Sequence, residues 1–171
     1  MKNRLSFAGM FLAISICAVQ AVPRGGIALL AGTDGICAQL RRYSPGGTFG
    51  YGFTAALGFE NADFSLDDPA LSLFIDKRIL SLGRWEGRGA AEFGGAVVFT
   101  GYGSILVPYA GVSTVWYLRL SDRVRLAGEA GLRSGRAERE VQASLELADV
   151  RFKEEVTLNP ILVRLGIDID L

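Results

Sequence analysis

Hydrophobic and polar residues alternate with a period of two along most of the chain, the signature of strands that show unlike faces to their two sides. From Phe49 the odd positions read Phe49, Tyr51, Phe53, Ala55, Leu57 and Phe59, whereas the even ones read Gly50, Gly52, Thr54, Ala56, Gly58 and Glu60. The pattern returns with Leu71, Leu73 and Ile75 against Ser72, Asp76 and Arg78, and again around Phe93, Gly95, Val97 and Phe99. In the second half, Ala110, Val112, Thr114, Trp116 and Leu118 oppose Tyr109, Gly111, Ser113, Tyr117 and Arg119. Val124, Leu126, Gly128, Ala130 and Leu132 then oppose Arg123, Arg125, Glu129 and Arg133, and the last run sets Ile161 to Leu171 against Arg164, Gly166, Asp168 and Asp170.

Turn signals separate these runs at Ser44–Gly47, Asn61–Pro69, Ser81–Arg88, Gly101–Gly103, Ser121–Asp122 and Ser134–Gly135. With a first strand at about 26–43 and another at about 140–153, the spacing predicts eight strands, each reaching or exceeding the 9–11 residues that cross a bilayer at a tilt. The segment 137–156 fits two templates. Val141, Leu145, Ala148, Phe152 and Val156 lie on one helical face, while Val141, Ala143, Leu145 and Leu147 alternate as a strand. The strand is favoured, because a helix would leave an odd strand count and two unpaired edges.

The predicted fold class is therefore all-β: a closed antiparallel transmembrane β-barrel of about eight strands. The choice between membrane and soluble barrel turns on where the large apolar face points. An eight-stranded interior is only just wide enough for side chains to fill. It cannot take most of the Phe, Leu and Ile of these runs. Turned outward, those residues meet lipid and the lumen receives the small and charged face. Candidate lumen ion-pairing residues are then Glu60, Asp76, Arg78, Glu92, Arg119, Arg125, Glu129, Arg133, Arg164 and Asp168. Their signs nearly balance, whereas an Arg facing lipid at mid-depth costs about 2–4 kcal/mol. Tyr43, Trp116 and Tyr117 lie beside short turns, where an aromatic belt is expected.

The first 21 residues read as a signal peptide, with Lys2 and Arg4 ahead of an apolar stretch from Leu5 to Val19 and small residues Val19 and Ala21 at the cleavage spacing. The barrel domain is then 22–171. A lipoprotein site at Cys17 is the rival, but Ile16 precedes it where a small residue is needed. Only Cys37 remains in the mature chain, so no internal disulfide is expected.

Composition narrows the chemistry. The 18 basic and 18 acidic residues leave no basic surplus for nucleic acid. There is no His, which removes the commonest general base and transition-metal ligand together. The Gly101-Tyr102-Gly103 turn lacks the strand–loop–helix context of a phosphate loop. No catalytic residue, cofactor or metal is expected, and the chain is read as a non-enzyme.

Val107-Pro108-Tyr109-Ala110-Gly111-Val112, running through Trp116-Tyr117 into Leu120-Ser121-Asp122-Arg123 and Gly128-Glu129-Ala130-Gly131-Leu132, resembles the small eight-stranded outer-membrane β-barrel superfamily. That group includes the OmpA membrane domain, OmpX and OmpW. Gly32 to Ile36, taken as part of the first strand, and the ending Asn159-Pro160 to Leu171 add to the resemblance. Members usually end in an aromatic residue, where this chain has Leu171. The resemblance implies location in the cell outer membrane, with outer-membrane lipid and the barrel-assembly machinery as partners. Acyl-chain enzymes of this size depend on His, which is absent.

Three functional readings follow. The favoured one is a structural or surface-interaction barrel. The others are a narrow OmpW-like conduit for small or hydrophobic solutes and a soluble ligand-binding periplasmic barrel. Candidate loop contacts are Arg84, Trp85, Glu86 and Arg88 in the Ser81–Arg88 segment.

Overall fold

The computed structural model describes residues 25–60, 65–145 and 148–171; the segment read as a signal peptide lies outside them. The described residues form nine strands and no helix: β1 (Gly25–Gly32), β2 (Gly35–Tyr43), β3 (Phe49–Glu60), β4 (Ser65–Leu82), β5 (Trp85–Thr100), β6 (Gly103–Arg119), β7 (Val124–Leu145), β8 (Ala148–Thr157) and β9 (Ile161–Asp170). Neighbours pair antiparallel from β1 through β7. The ring closes through β7–β9 and β9–β1, giving an eight-stranded antiparallel barrel.

The expected count of eight holds, yet two boundaries shift in compensating directions. The span expected as one strand at 26–43 is a hairpin, β1 and β2, turning at Thr33-Asp34 between paired Gly32 and Gly35. Gly35 sits at φ +100°, a conformation that L side chains rarely adopt. A Cβ there would also overlap the carbonyl oxygen of Leu57, and one at Gly32 would overlap that of Val163. The missing side chains let the hairpin tip wedge between β3 and β9. At the other end of the chain, Ser134-Gly135 is not a turn; it lies inside the long strand β7, opposite Ala110 and Tyr109. The strand expected at 140–153 divides between the end of β7 and β8. The described residues of the segment 137–156 are strand rather than helix.

β8 and β9 act as one strand. Both hold the same register against β7, with Leu132 facing Ile161 and Arg136 facing Thr157. The break falls at Leu158–Pro160, where Pro160 has no N–H to donate. The ladder is carried across by Leu158 N–H to the Gly135 carbonyl at 3.0 Å and Arg133 N–H to the Pro160 carbonyl at 2.9 Å.

Strand β4 starts at Ser65, inside the segment 61–69 read as a loop. Its pairing with β5 slips between Arg78 and Leu80. This bulge reverses the parity of the outward face, so Leu71, Leu73 and Ile75 point out before it and Leu80 and Leu82 after it.

The barrel is inverted relative to a soluble protein. Its largest apolar side chains are among its most exposed: Leu73 is 68% exposed, Phe93 67% and Leu165 65%. Arg88, Arg164 and Asp168 are almost wholly buried. Tyr117, expected in an aromatic belt, points into the lumen and is buried, whereas Trp116 faces out.

The two ends differ. One, the terminal end, holds Gly25, Leu171 and the turns after β2, β4 and β6. The other carries the β7–β8 hairpin, which continues beyond Gly135, where β7 leaves β6. The hairpin's outer face is charged, with Arg136 bonded to Glu138 at 2.6 Å and to Glu155 at 3.0 Å. Its inner face packs against the neighbouring turn between β5 and β6. Arg139 donates to the Ser104 carbonyl and the Thr100 hydroxyl, and Phe152 meets Tyr102 edge to face at 5.0 Å.

Gly35→Val combines a left-handed backbone with overlap onto β3, and is expected to cost at least the roughly 1–3 kcal/mol of such strain. Equilibrium urea unfolding of the variant beside the parent checks this, with Gly101→Val as the control, since Gly101 has no left-handed backbone and a Cβ there meets open space.

Candidate functional site

The lumen-facing set follows from the strand parity. Gln39 and Arg41 come from β2, Ser72 and Asp76 from β4, Glu92 and Arg88 from β5, and Ser113 and Tyr117 from β6. Arg125 and Glu129 come from β7, and Arg164 and Asp168 from β9. A buried charge must be paired and hydrogen-bonded. Closing the barrel brings these groups to one another in two clusters.

The cluster nearer the terminal end is built on three guanidiniums. Arg41 donates to Asp168 at 3.0 Å and to the Tyr117 hydroxyl, and its Nε lies 3.2 Å from Asp76. Its guanidinium is also 5.2 Å from the Phe74 ring centroid, a cation–π contact inside the lumen. Arg88 donates to Asp76 at 2.5 Å and to Glu86 at 2.6 Å. It reaches further, to the carbonyls of Gly47 and Thr48 at 3.1 Å, and so anchors the turn after β2. Arg125 binds Asp168 at 2.9 Å, Asp170 at 2.7 Å and the Tyr43 hydroxyl at 2.6 Å.

The second cluster is centred on Arg164. It donates to Asp34 at 2.6 Å, Glu129 at 3.1 Å and Glu92 at 3.3 Å, so one guanidinium holds three carboxylates from three strands or turns. Hydroxyls take up the remaining acceptors: Ser113 donates to Glu129 at 2.6 Å, and Tyr109 at 3.1 Å and Ser72 donate to Glu92. Arg133 lies 3.5 Å from Asp34 and donates to the Asn159 carbonyl at 2.8 Å. Gln39 joins the clusters, accepting from Arg41 at 3.1 Å and donating to Glu129 at 3.5 Å.

Of the ten residues expected in the lumen, Asp76, Glu92, Arg125, Glu129, Arg164 and Asp168 are buried in this network and Arg133 stands at its edge. Arg78 is half-buried at the terminal rim and donates to the Gly46 carbonyl at 3.2 Å. Arg119 stands opposite Arg125 at the end of β6 and so keeps the lumen-side parity, but at the terminal rim it is exposed and outside the network. Glu60 belongs to β3 by its backbone, and its side chain lies outside the described residues.

The loop-contact group divides. Arg84 is in the β4–β5 turn and Trp85, at the start of β5, is 52% exposed. Glu86 and Arg88 are corrections: they belong to β5, pair with each other and face the lumen. The sequence reading also omitted Asp34 and Arg41. Both were hidden by treating 26–43 as one strand, which obscured the turn at Asp34 and the parity of β2. The alternation Glu86, Arg88, Ala90, Glu92 carried the missing signal for β5.

Every lumen carboxylate described above meets a guanidinium, so the arrangement fastens strands together. A cavity of about 260 Å³ lies at the terminal end, lined by Tyr43, Arg78 and Asp170 among others. A second, of about 230 Å³, lies at the hairpin end, lined by Asp34, Asp68 and Arg133 among others. The two clusters sit between them.

Replacing Arg164 by Met leaves Asp34, Glu92 and Glu129 crowded without their shared cation. The expected loss is about 3–5 kcal/mol, the cost of breaking a buried pair from one side. Arg136→Met, on the exposed hairpin face, is expected to cost under about 1 kcal/mol. Urea unfolding of both variants gives the comparison.

No family model, curated protein or solved structure matches this chain.

Proposed function

We propose that the protein is an integral outer-membrane β-barrel with a structural or surface-interaction role, located by its signal peptide and seated in lipid by its outer face. One observation carries this: the barrel wall is apolar outside and charged inside. Water would meet Leu73, Phe93 and Leu165 on the outside of a soluble barrel, a contiguous apolar surface that soluble monomers rarely tolerate. Lipid removes that cost. The charged face of the β7–β8 hairpin lies beyond the apolar wall, suited to the aqueous side of the interface.

A structural role is favoured over a conduit because the lumen is occupied. Arg41, Arg88, Arg125 and Arg164 cross it and are each tied to at least two partners. A ligand-binding soluble barrel needs the large apolar residues inside, and they are outside. On this reading the longest projection, the β7–β8 hairpin, stands on the external side, in keeping with the longer external loops of such barrels. It is the surface offered to partners. Assembly by the barrel-assembly machinery and contact with outer-membrane lipid belong to the same proposal, and no catalytic step is assigned.

The test is refolding of residues 22–171 with and without detergent micelles, followed by gel mobility unboiled and boiled. A compact, heat-modifiable form that appears only with micelles is the expected result; folding in plain buffer overturns the membrane assignment. Leu73→Arg, on the outer wall, is expected to destabilise the barrel folded in bilayers by about 2–4 kcal/mol. Planar-bilayer recording is expected to show no steady conductance for the parent chain.

A further inference from the structure

The chain is neutral as a whole, with 18 basic and 18 acidic residues, yet the two ends of the barrel treat their cations differently. At the hairpin end cations meet carboxylates. Arg133 lies 3.5 Å from Asp34, Arg136 is bonded to Glu138 and Glu155, Arg139 is bonded to Glu154 at 2.6 Å, and Lys153 stands opposite Glu140. Arg151, opposite Gln142, is the exception. At the terminal end Arg42, Lys77, Arg84, Arg119 and Arg123 are all exposed, and none forms an ion pair among the described residues. Glu86 and Asp170 are already held by Arg88 and Arg125, which leaves Asp122 as the only exposed acidic side chain described at this end.

Closure of the barrel brings these five cations onto one rim. Arg42 stands opposite Gly25, Arg119 N–H donates to the Arg84 carbonyl at 2.8 Å, and the Arg123 carbonyl accepts from Asp170 N–H at 2.8 Å. The rim borders the apolar wall, and exposed aromatic rings mark the border. Arg42 is paired with Tyr51, and the Lys77 ammonium lies 5.6 Å from the centroid of the Phe49 ring. Arg84 directly precedes Trp85. Trp116 lies over Gly87, where a Cβ would come within 2.9 Å of the indole. All four rings are on the outside of the barrel.

Two physical tendencies meet at such a border. Aromatic rings settle where hydrocarbon gives way to headgroups. Long basic side chains lay their methylenes on apolar surface and carry the charge outward to the same level. A cation left without a carboxylate at that depth is matched by phosphate. A zwitterionic headgroup brings an ammonium with its phosphate, whereas an anionic headgroup brings net negative charge, and each Lys or Arg near an anionic surface gains from it.

We propose that the terminal rim is a docking surface for anionic phospholipid headgroups, drawn from the leaflet on the side away from the β7–β8 hairpin. Arg42, Lys77 and Arg84 hold the phosphates of lipids whose acyl chains run along the exposed Ile75 and Leu82, and Arg119 and Arg123 extend the positive rim around the end of β6. The proposal rests on the membrane assignment above, which supplies the lipid. It adds the charge of the headgroup and the end of the barrel that selects it.

The chain has 2 Trp, Trp85 and Trp116, both on the outer wall at this end, so its own fluorescence reports the lipids beside the rim. Residues 22–171 are refolded into vesicles holding a minority of phosphatidylglycerol in phosphatidylcholine. Bromine, a contact quencher, is carried on the acyl chains either of the phosphatidylglycerol or of an equal amount of the phosphatidylcholine. Brominated phosphatidylglycerol is expected to quench about twofold more strongly, and added salt to shrink the difference by screening the rim. Lys77→Gln combined with Arg84→Gln is expected to remove most of the difference, whereas Arg151→Gln, at the hairpin end, leaves it intact. Each variant is first checked for the compact unboiled band. Equal quenching by the two lipids, a preference that does not fall with salt in the parent chain, or a full preference in the double variant overturns the inference and leaves the membrane assignment standing. Absence of quenching by either lipid shows that the outer wall does not meet acyl chains, and overturns both.

Discussion

Closure of the sheet is the constraint on which the rest depends. The β1–β9 ladder, running from Gly26–Asp170 to Gly32–Arg164, pairs two strands from opposite ends of the described chain. Once it forms, every strand has two neighbours along the barrel wall and the period of two becomes an inside and an outside. An open sheet would leave the edges of β1 and β9 unpaired. It would also separate Asp168 of β9 from Arg41 of β2, and Arg164 from Asp34 at the β1–β2 turn and Glu92 of β5.

The ion network is both a result of closure and a lock on it. Arg164 reaches Asp34 at the β1–β2 turn, Glu92 of β5 and Glu129 of β7, so its bonds run across the barrel and not merely along one seam. Arg41 does the same between Asp76 of β4 and Asp168 of β9. Such a network does not by itself make a fold more stable than an apolar core would, since each charge must first lose its water. Its effect is on uniqueness. A one-residue slip of any strand would turn its charges outward and its Leu and Phe inward, leaving partners across the lumen uncompensated.

Two local devices shape the barrel into something other than a uniform cylinder. The Gly32–Gly35 tip lets a short hairpin fit closely between β3 and β9, which lowers the wall on that side. The register shared by β8 and β9 across Leu158–Pro160 carries the wall higher on the neighbouring side. Together they leave the wall uneven, lowest where β3 and β8 have no strand between them among the described residues.

The strand class, the count of eight and the outward set of large apolar residues were legible in the sequence, because period-two alternation is a local property of each strand and long strands repeat it many times. The small and charged face was legible for the same reason at Asp76, Glu92, Arg125, Glu129, Arg164 and Asp168. What only the tertiary structure decided is where alternation is interrupted and who meets whom. The turn at Thr33-Asp34 spans two residues inside an unbroken apolar run, and the continuity of β8 with β9 is visible only in their common partner β7. The bulge near Arg78 changes parity without changing composition, and Arg88 was mistaken for a loop residue because its strand is built of Gly and Ala. Pairing across a lumen is set by closure, which joins residues such as Asp34 and Arg164 that local pattern never compares.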